Sequence, residues 1–231
     1  SSDNDDSCST LMFLVAKNLN FKNIKFQHGG HYGYVSDNSF LNEIEFKNCD
    51  EFLTYGWKSY FINSLNKKIK FFIMPSPWLS EKKKYFEILN FEEKKKFDFI
   101  YFPQFIKPFT NGVQGLSNFR RDVLNNYIDK LLTICKYSKQ NKTKIGVKFY
   151  NKTSEFFLKH TIKKINSKYK MNSKFLSFND KGISKYILSQ TNLIVFDQIG
   201  TGAMECFNYG IPVMIIHNKD YNKPNKLSEK H

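Results

Sequence analysis

From Lys144 to Ile216, short apolar runs alternate with segments of helical period, and this alternation restricts the chain to a parallel sheet layered with helices. The runs Lys144–Phe149, Lys174–Ser177, Leu193–Phe196 and Val213–Ile216 are too short for core helices and are expected to be strands. Ser154–Asn166, Lys181–Gln190 and Thr201–Tyr209 are then the crossover helices. Right-handed crossovers make such a βαβαβαβ run a doubly wound α/β sheet. A strand at Phe97–Phe102, ended by Pro103, precedes it. A long helix capped by Asn118 and reaching about Tyr137 follows that strand, because Leu124, Ile128, Leu131 and Cys135 recur on one helical face.

Upstream the rhythm is similar but shorter. A helix at Leu11–Asn18, capped by Ser9 or Thr10, leads to a strand at Ile24–Gln27; a helix at Ser39–Lys47 and strands at Glu51–Thr54 and Lys68–Met74 follow. Pro75 and Pro77 stop the last of these, and Glu81–Lys96 is a lysine-rich helix or loop. We place a boundary near residue 66, with residues 1–66 as the tail of one Rossmann-like domain and 67–231 as most of a second. The first stretch is shorter than the roughly 100 residues such a domain takes, so upstream sequence is expected. The basic end after His217 similarly lacks a closing helix.

Lys and Arg outnumber Asp and Glu by 36 to 21, a net charge of +15, which favours anionic partners such as nucleotide phosphates, nucleic acid or an acidic membrane surface. Cys8, Cys49, Cys135 and Cys206 lie far apart, without CxxC pairs or Cys/His clusters, so no metal site is expected and the thiols fit a reducing cytosol. No apolar run approaches the ~20 residues that span a bilayer. The opening SSDNDDSCST is acidic, unlike the basic start of a signal peptide.

Ligands of doubly wound sheets bind beyond the carboxyl ends of the strands. That rule selects Asp197, Gln198, Gly200, Thr201 and Gly202, which follow the strand ending at Phe196. Gly200-Thr201-Gly202 opens a helix, whose N-terminal amides and dipole suit a phosphate, and Glu205 lies one turn on, where a carboxylate can accept bonds from sugar hydroxyls. The plainer alternative makes Thr201 a helix cap and Glu205 a dipole-stabilising residue. Lys148 ends a strand on the same edge and could neutralise a diphosphate or simply be solvated. Arg120 and Arg121, the chain's only arginines, suit phosphate or a surface ion pair equally.

A second candidate loop is His28-Gly29-Gly30-His31-Tyr32-Gly33, directly after a strand. Glycines let backbone approach a ligand and expose amides to an anion, while histidine moves protons near neutral pH. His28 is the sharper candidate for a catalytic base and His31 the alternative; a tight turn with one structural histidine is the competing reading. The loop lacks GxGxxG spacing and nothing matches GxxxxGK[ST], which removes most of the weight from dehydrogenase and ATPase readings. Tyr55-Gly56-Trp57 is read as packing in preference to a stacking platform, and Glu81–Lys96 as a solvated face or a contact for anionic lipid.

The stretch FDQIGTGAMECFNYGIPVMI resembles the nucleotide-sugar-binding region of two-Rossmann-domain (GT-B) glycosyltransferases. QHGGHYG and CDEFLTYGW together are similar to an HGGxYG…D-x-(Y/F)-x-x-x-GW pattern of bacterial surface-polysaccharide and lipopolysaccharide-type transferases. The resemblance implies a metal-independent GT-B enzyme without a cofactor, a nucleotide sugar as donor and a glycan or lipid-linked glycan as acceptor. It further implies that Gly200, Thr201, Gly202 and Glu205 line the donor pocket, with His28 to Gly33 facing it across an interdomain cleft; Gly29, Gly30, Lys148, Asp197 and Gln198 join them as expected donor-binding residues, and His28 or His31 as the catalytic one. Such an enzyme works in the cytoplasm, with peripheral contact at the inner membrane face, and needs no specific nucleic acid. A polyol-phosphate transferase, or a non-catalytic anion- or nucleic-acid-binding or scaffold module, is the alternative.

Overall fold

The computed structural model describes residues 7–27, 29–30, 32–34, 46, 49–57, 69–87, 95–103, 121–150, 152–169, 173–176 and 185–217. Two compact units divide them, one ending at Ser80 and the other spanning Glu81–Asn218.

The first unit begins with helix α1 (Ser7–Asn18) and holds strands β1 (Ile24–Phe26), β2 (Glu51–Tyr55) and β3 (Lys70–Met74). All pair in parallel, in the order β1-β2-β3. Phe52 pairs with Phe71 in register, so Lys70–Met74 shares a sheet with the chain before residue 66. The core on this sheet is aromatic: Tyr32, Phe46, Cys49, Phe52 and Trp57 are buried together, with Ile69 and Phe71 packed against them. Phe46 meets Phe52 edge-on at 4.8 Å, a geometry the ring quadrupoles favour. The helix expected at Ser39–Lys47 lies outside the described residues apart from Phe46.

Helix α2 (Pro77–Glu87) runs across the division. It starts earlier than the sequence suggested. Pro77 is pre-set for the first helical position, and the Ser76 hydroxyl accepts a bond from the Leu79 amide at 3.3 Å. The proline taken as a strand stop therefore also opens a helix.

In the second unit, β4 (Phe99–Phe102), α3 (Arg121–Asn141), β5 (Ile145–Lys148), α4 (Lys152–Tyr169), β6 (Ser173–Leu176), α5 (Lys185–Ser189), β7 (Ile194–Phe196), α6 (Thr201–Asn208) and β8 (Val213–Ile215) alternate as expected. The five strands are parallel in the order β6-β5-β4-β7-β8. Every residue of β5 and β7 is buried, as strands covered on both faces must be. Tyr127, Leu131, Ile134 and Cys135 form the buried stripe of α3, while Ile128, expected on it, is only half-buried. The architecture is mixed α/β with parallel sheets, of Rossmann-like character in the second unit.

Among the described residues Cys49, Cys135 and Cys206 are free and buried, and burial pushes the last two thiols up to about 12. They are packing residues with little thiolate at neutral pH. No described helix is long and apolar enough to cross a membrane, and no group of three His, Cys, Asp or Glu among the described residues could hold a metal.

Candidate functional site

The strand order creates a switch point. From β4 the chain moves outward to β5 and β6, then returns to lay β7 against the other side of β4 and continues to β8. Successive connections therefore leave in opposite directions beyond the carboxyl ends of β4 and β7, which is where a crevice opens in such sheets.

Asp197 immediately follows β7 at this point. Its carboxylate accepts a 2.6 Å bond from the Tyr101 hydroxyl of β4, tying the two strands together across the switch point. Lys130 of α3 approaches the same carboxylate at 3.9 Å and donates to the Ile216 carbonyl at 2.8 Å, bracing the ends of β7 and β8. The Asp197 side chain is 1% exposed, so its charge is turned inward. Burial and the Asp197 charge hold the Tyr101 phenol well above its ordinary range. Burial lowers Lys130, and Asp197 opposes that shift. The Tyr127 hydroxyl on the same helix is buried with no hydrogen-bond partner among the described residues. Its ionisation is pushed up by burial first and the Asp197 charge second.

Beyond Asp197, Gln198 and Gly200 are half-buried. Gly200 is the extended N-cap of α6 and offers no side-chain cap; a Cβ there would meet nothing within 4 Å among the described residues. Thr201, considered as the cap, is instead the exposed first residue of the helix, followed by half-buried Gly202. Helix geometry leaves first-turn amides without intrahelical acceptors, and a start with room beside Gly200 among the described residues suits an anion.

Glu205, one turn further, is 6% exposed and accepts a 2.7 Å bond from Lys82 of α2. Burial raises its carboxyl above 4.5, and Lys82 only partly offsets this. A carboxyl raised in the folded state adds stability below pH 4.5 that is lost as pH rises through the folded value. Glu205→Gln should therefore raise the unfolding temperature near pH 7.5, with the difference shrinking toward pH 4 in a thermal-melt series. A lower melting temperature at neutral pH would contradict this.

Lys148 ends β5 on the same sheet edge. It is 2% exposed and its ammonium donates to the Phe149 carbonyl at 3.1 Å, which removes the solvated alternative. Burying an ammonium is costly unless the surroundings supply charge or acceptors.

In the first unit, Gly29 and Gly30 lie half-buried just past β1; His28 and His31 lie outside the described residues. Arg120 does also, and the Arg121 side chain with it. Trp57 is buried in the aromatic core, as the packing reading expected, and its indole N–H donates to Gln27 Oε1 at 2.7 Å. Lys82, Tyr101 and Lys130 were not singled out from the sequence, whereas Gln27 and Gly33 were named only as the ends of the QHGGHYG stretch, with no role of their own. Lys82 and Lys130 carry no local signal in so basic a chain.

A family model described as "LIC12162 family transferase" matches residues 2–230. No curated protein and no solved structure matches the chain.

Proposed function

The chain belongs to the LIC12162 family of transferases, and from that premise we propose that it transfers a sugar from a nucleotide-sugar donor to a bacterial surface-glycan acceptor. The observation carrying this reading is the sheet's switch point, beyond which the helix start at Gly200-Thr201-Gly202 precedes the buried Glu205. Gly200, Thr201 and Gly202 receive the donor's phosphates, Glu205 accepts bonds from its ribose, and Lys148 supplies positive charge at the same sheet edge. Asp197 and Gln198 set the turn, Asp197 through Tyr101 and Lys130. In this reading the enzyme is of GT-B type, with the second unit as its donor-binding Rossmann-like domain.

In the transfer step an acceptor hydroxyl attacks the anomeric carbon. The new glycosidic bond forms as the bond from that carbon to the phosphate oxygen breaks, and the electron pair leaves with the nucleotide. His28 takes the hydroxyl proton in an inverting reaction, with His31 the alternative base and the Gly29-Gly30 amides beside it. Preorganised donors facing the departing phosphate supply a large share of such catalysis. The acceptor, a glycan or lipid-linked glycan, brings the enzyme to the inner face of an anionic membrane, and the basic segment Glu81–Lys96 is suited to rest there.

A polyol-phosphate transferase would use the same anion site but break a different bond. With a panel of UDP-, GDP-, dTDP-, CDP- and CMP-linked sugars and water as acceptor, sugar transfer releases free sugar. From the diphosphate donors it also releases nucleoside diphosphate. Release of nucleoside monophosphate with a phosphorylated alcohol from CDP-linked polyols, and no cleavage of the sugars, would overturn the glycosyl assignment.

A further inference from the structure

Lys82, Lys83 and Lys84 are consecutive on α2, yet Lys82 is half-buried while the other two are exposed. The start of the helix is fastened at Ser76, whose carbonyl accepts from the Ser80 amide at 3.0 Å and whose hydroxyl accepts from the Leu79 amide. From there the Lys82 side chain reaches α6, where its ammonium donates to Glu205 Oε1 at 2.7 Å. Both residues belong to the second compact unit. A hydrogen bond between two charged groups at this length is roughly twice as strong as a neutral one. The Glu205 side chain is only 7% exposed, which sets the pair apart from surface ion pairs that water and salt screen.

Lys82 commits one carboxylate oxygen and leaves the other. Among the described residues no hydrogen bond reaches Glu205 Oε2, although a carboxylate accepts on both oxygens. Thr201 lies four residues earlier, so Glu205 shares the helix face that leads to the proposed phosphate site. We infer that Lys82 is a positioning residue that holds the Glu205 carboxylate toward the ribose hydroxyls of the donor; this rests on the donor reading above. The same ammonium opposes the burial that favours the protonated acid, and a protonated oxygen accepts poorly. The other titratable groups beside Glu205 among the described residues are Cys206 and Tyr209 on its own helix. Burial holds both at about 12, so neither changes charge between pH 6 and 8.5.

Calorimetric titration of the full chain with UDP, GDP, CDP and CMP between pH 6 and 8.5 tests this, for wild type, Lys82→Arg and Lys82→Met. The ratio of mutant to wild-type Kd cancels the titration of the nucleotide's own phosphate. Lys82→Arg restores a cation and a donor and should stay within about threefold of wild type at every pH. In Lys82→Met the ratio should be about threefold or more at pH 8.5. It should grow about tenfold further by pH 6, as Glu205 without its cation takes up a proton. Adding Glu205→Gln to Lys82→Met removes the titrating group, so that ratio should stay raised but no longer vary with pH.

Tryptophan emission reports folding at each pH. Should Lys82→Met fail to fold, Lys82→Gln, which keeps a donor but carries no charge, should show the same growth of the ratio toward pH 6. A raised but pH-independent ratio in the neutral variant makes Lys82 a direct phosphate contact and overturns the positioning role, as does a ratio near unity. In both cases nucleotide binding by the wild type preserves the donor site. No binding of any nucleotide by the wild type removes the donor reading and this inference with it.

Discussion

Gly33→Ala is expected to destabilise the first unit by about 2–5 kcal/mol. Gly33 sits at φ +79°, in the left-handed region that costs a residue bearing a Cβ ~1–2 kcal/mol. The added methyl would lie 2.3 Å from Trp57 Cγ and 2.5 Å from its Cδ2. That ring cannot step aside, because it is buried among Phe52 and Phe71 and its N–H is held by Gln27. Overpacking a fixed neighbour adds ~1–3 kcal/mol. Urea unfolding followed by tryptophan emission should show a lower midpoint. In a Trp57→Ala background the same substitution should cost only the backbone share, a coupling that a double-mutant cycle reads directly. Additive effects of the two changes would show that Gly33 and Trp57 are not packed as described.

His28→Ala is expected to lower sugar transfer by about 10²–10⁴-fold, the usual contribution of a general base. Donor affinity should be unchanged, because the residues proposed to hold the donor, Lys148, Thr201 and Glu205, belong to the other compact unit. Cleavage kinetics on the sugar-nucleotide panel, with nucleotide affinity measured by calorimetry, separate the two effects. Parallel loss of affinity and turnover would place His28 in donor binding. A full loss in His31→Ala with an active His28→Ala would transfer the role to His31.

Much of the second unit was legible in the sequence, since short apolar runs separated by helix-period segments admit few arrangements besides a parallel sheet. Periodicity exposes which face of an element is buried; it does not show which distant residues meet there. Tyr101 and Asp197 are 96 positions apart, and Lys82 and Glu205 are 123 apart. Both contacts exist only because strand order brings β4 against β7 and because α2 packs near α6. Asp197 was correctly placed at the end of β7, but its inward orientation depends on Tyr101, which reads locally as one more aromatic in a buried strand. In the first unit the glycine-rich loop stood out by composition. The hydrogen bonds that Gln27 makes beside it did not, because they reach Tyr55 and Trp57, 28 and 30 positions downstream. Pro77 shows how one residue type supports two local readings, ending a strand and opening a helix.

The central claim is that the turn after β7 and the start of α6 hold the nucleotide of a sugar donor. A thermal-shift screen of UDP, GDP, dTDP, CDP and CMP against the full-length protein tests this most directly, because a ligand bound only by the folded state must stabilise it. At a hundredfold excess over Kd the stabilisation is about 2.7 kcal/mol. For a chain of this size that is a rise of roughly 5–10 °C. The account expects such a rise for one nucleotide base over the others, reduced in Glu205→Gln; the absence of a shift with every nucleotide, or an equal shift that Glu205→Gln leaves intact, would contradict it.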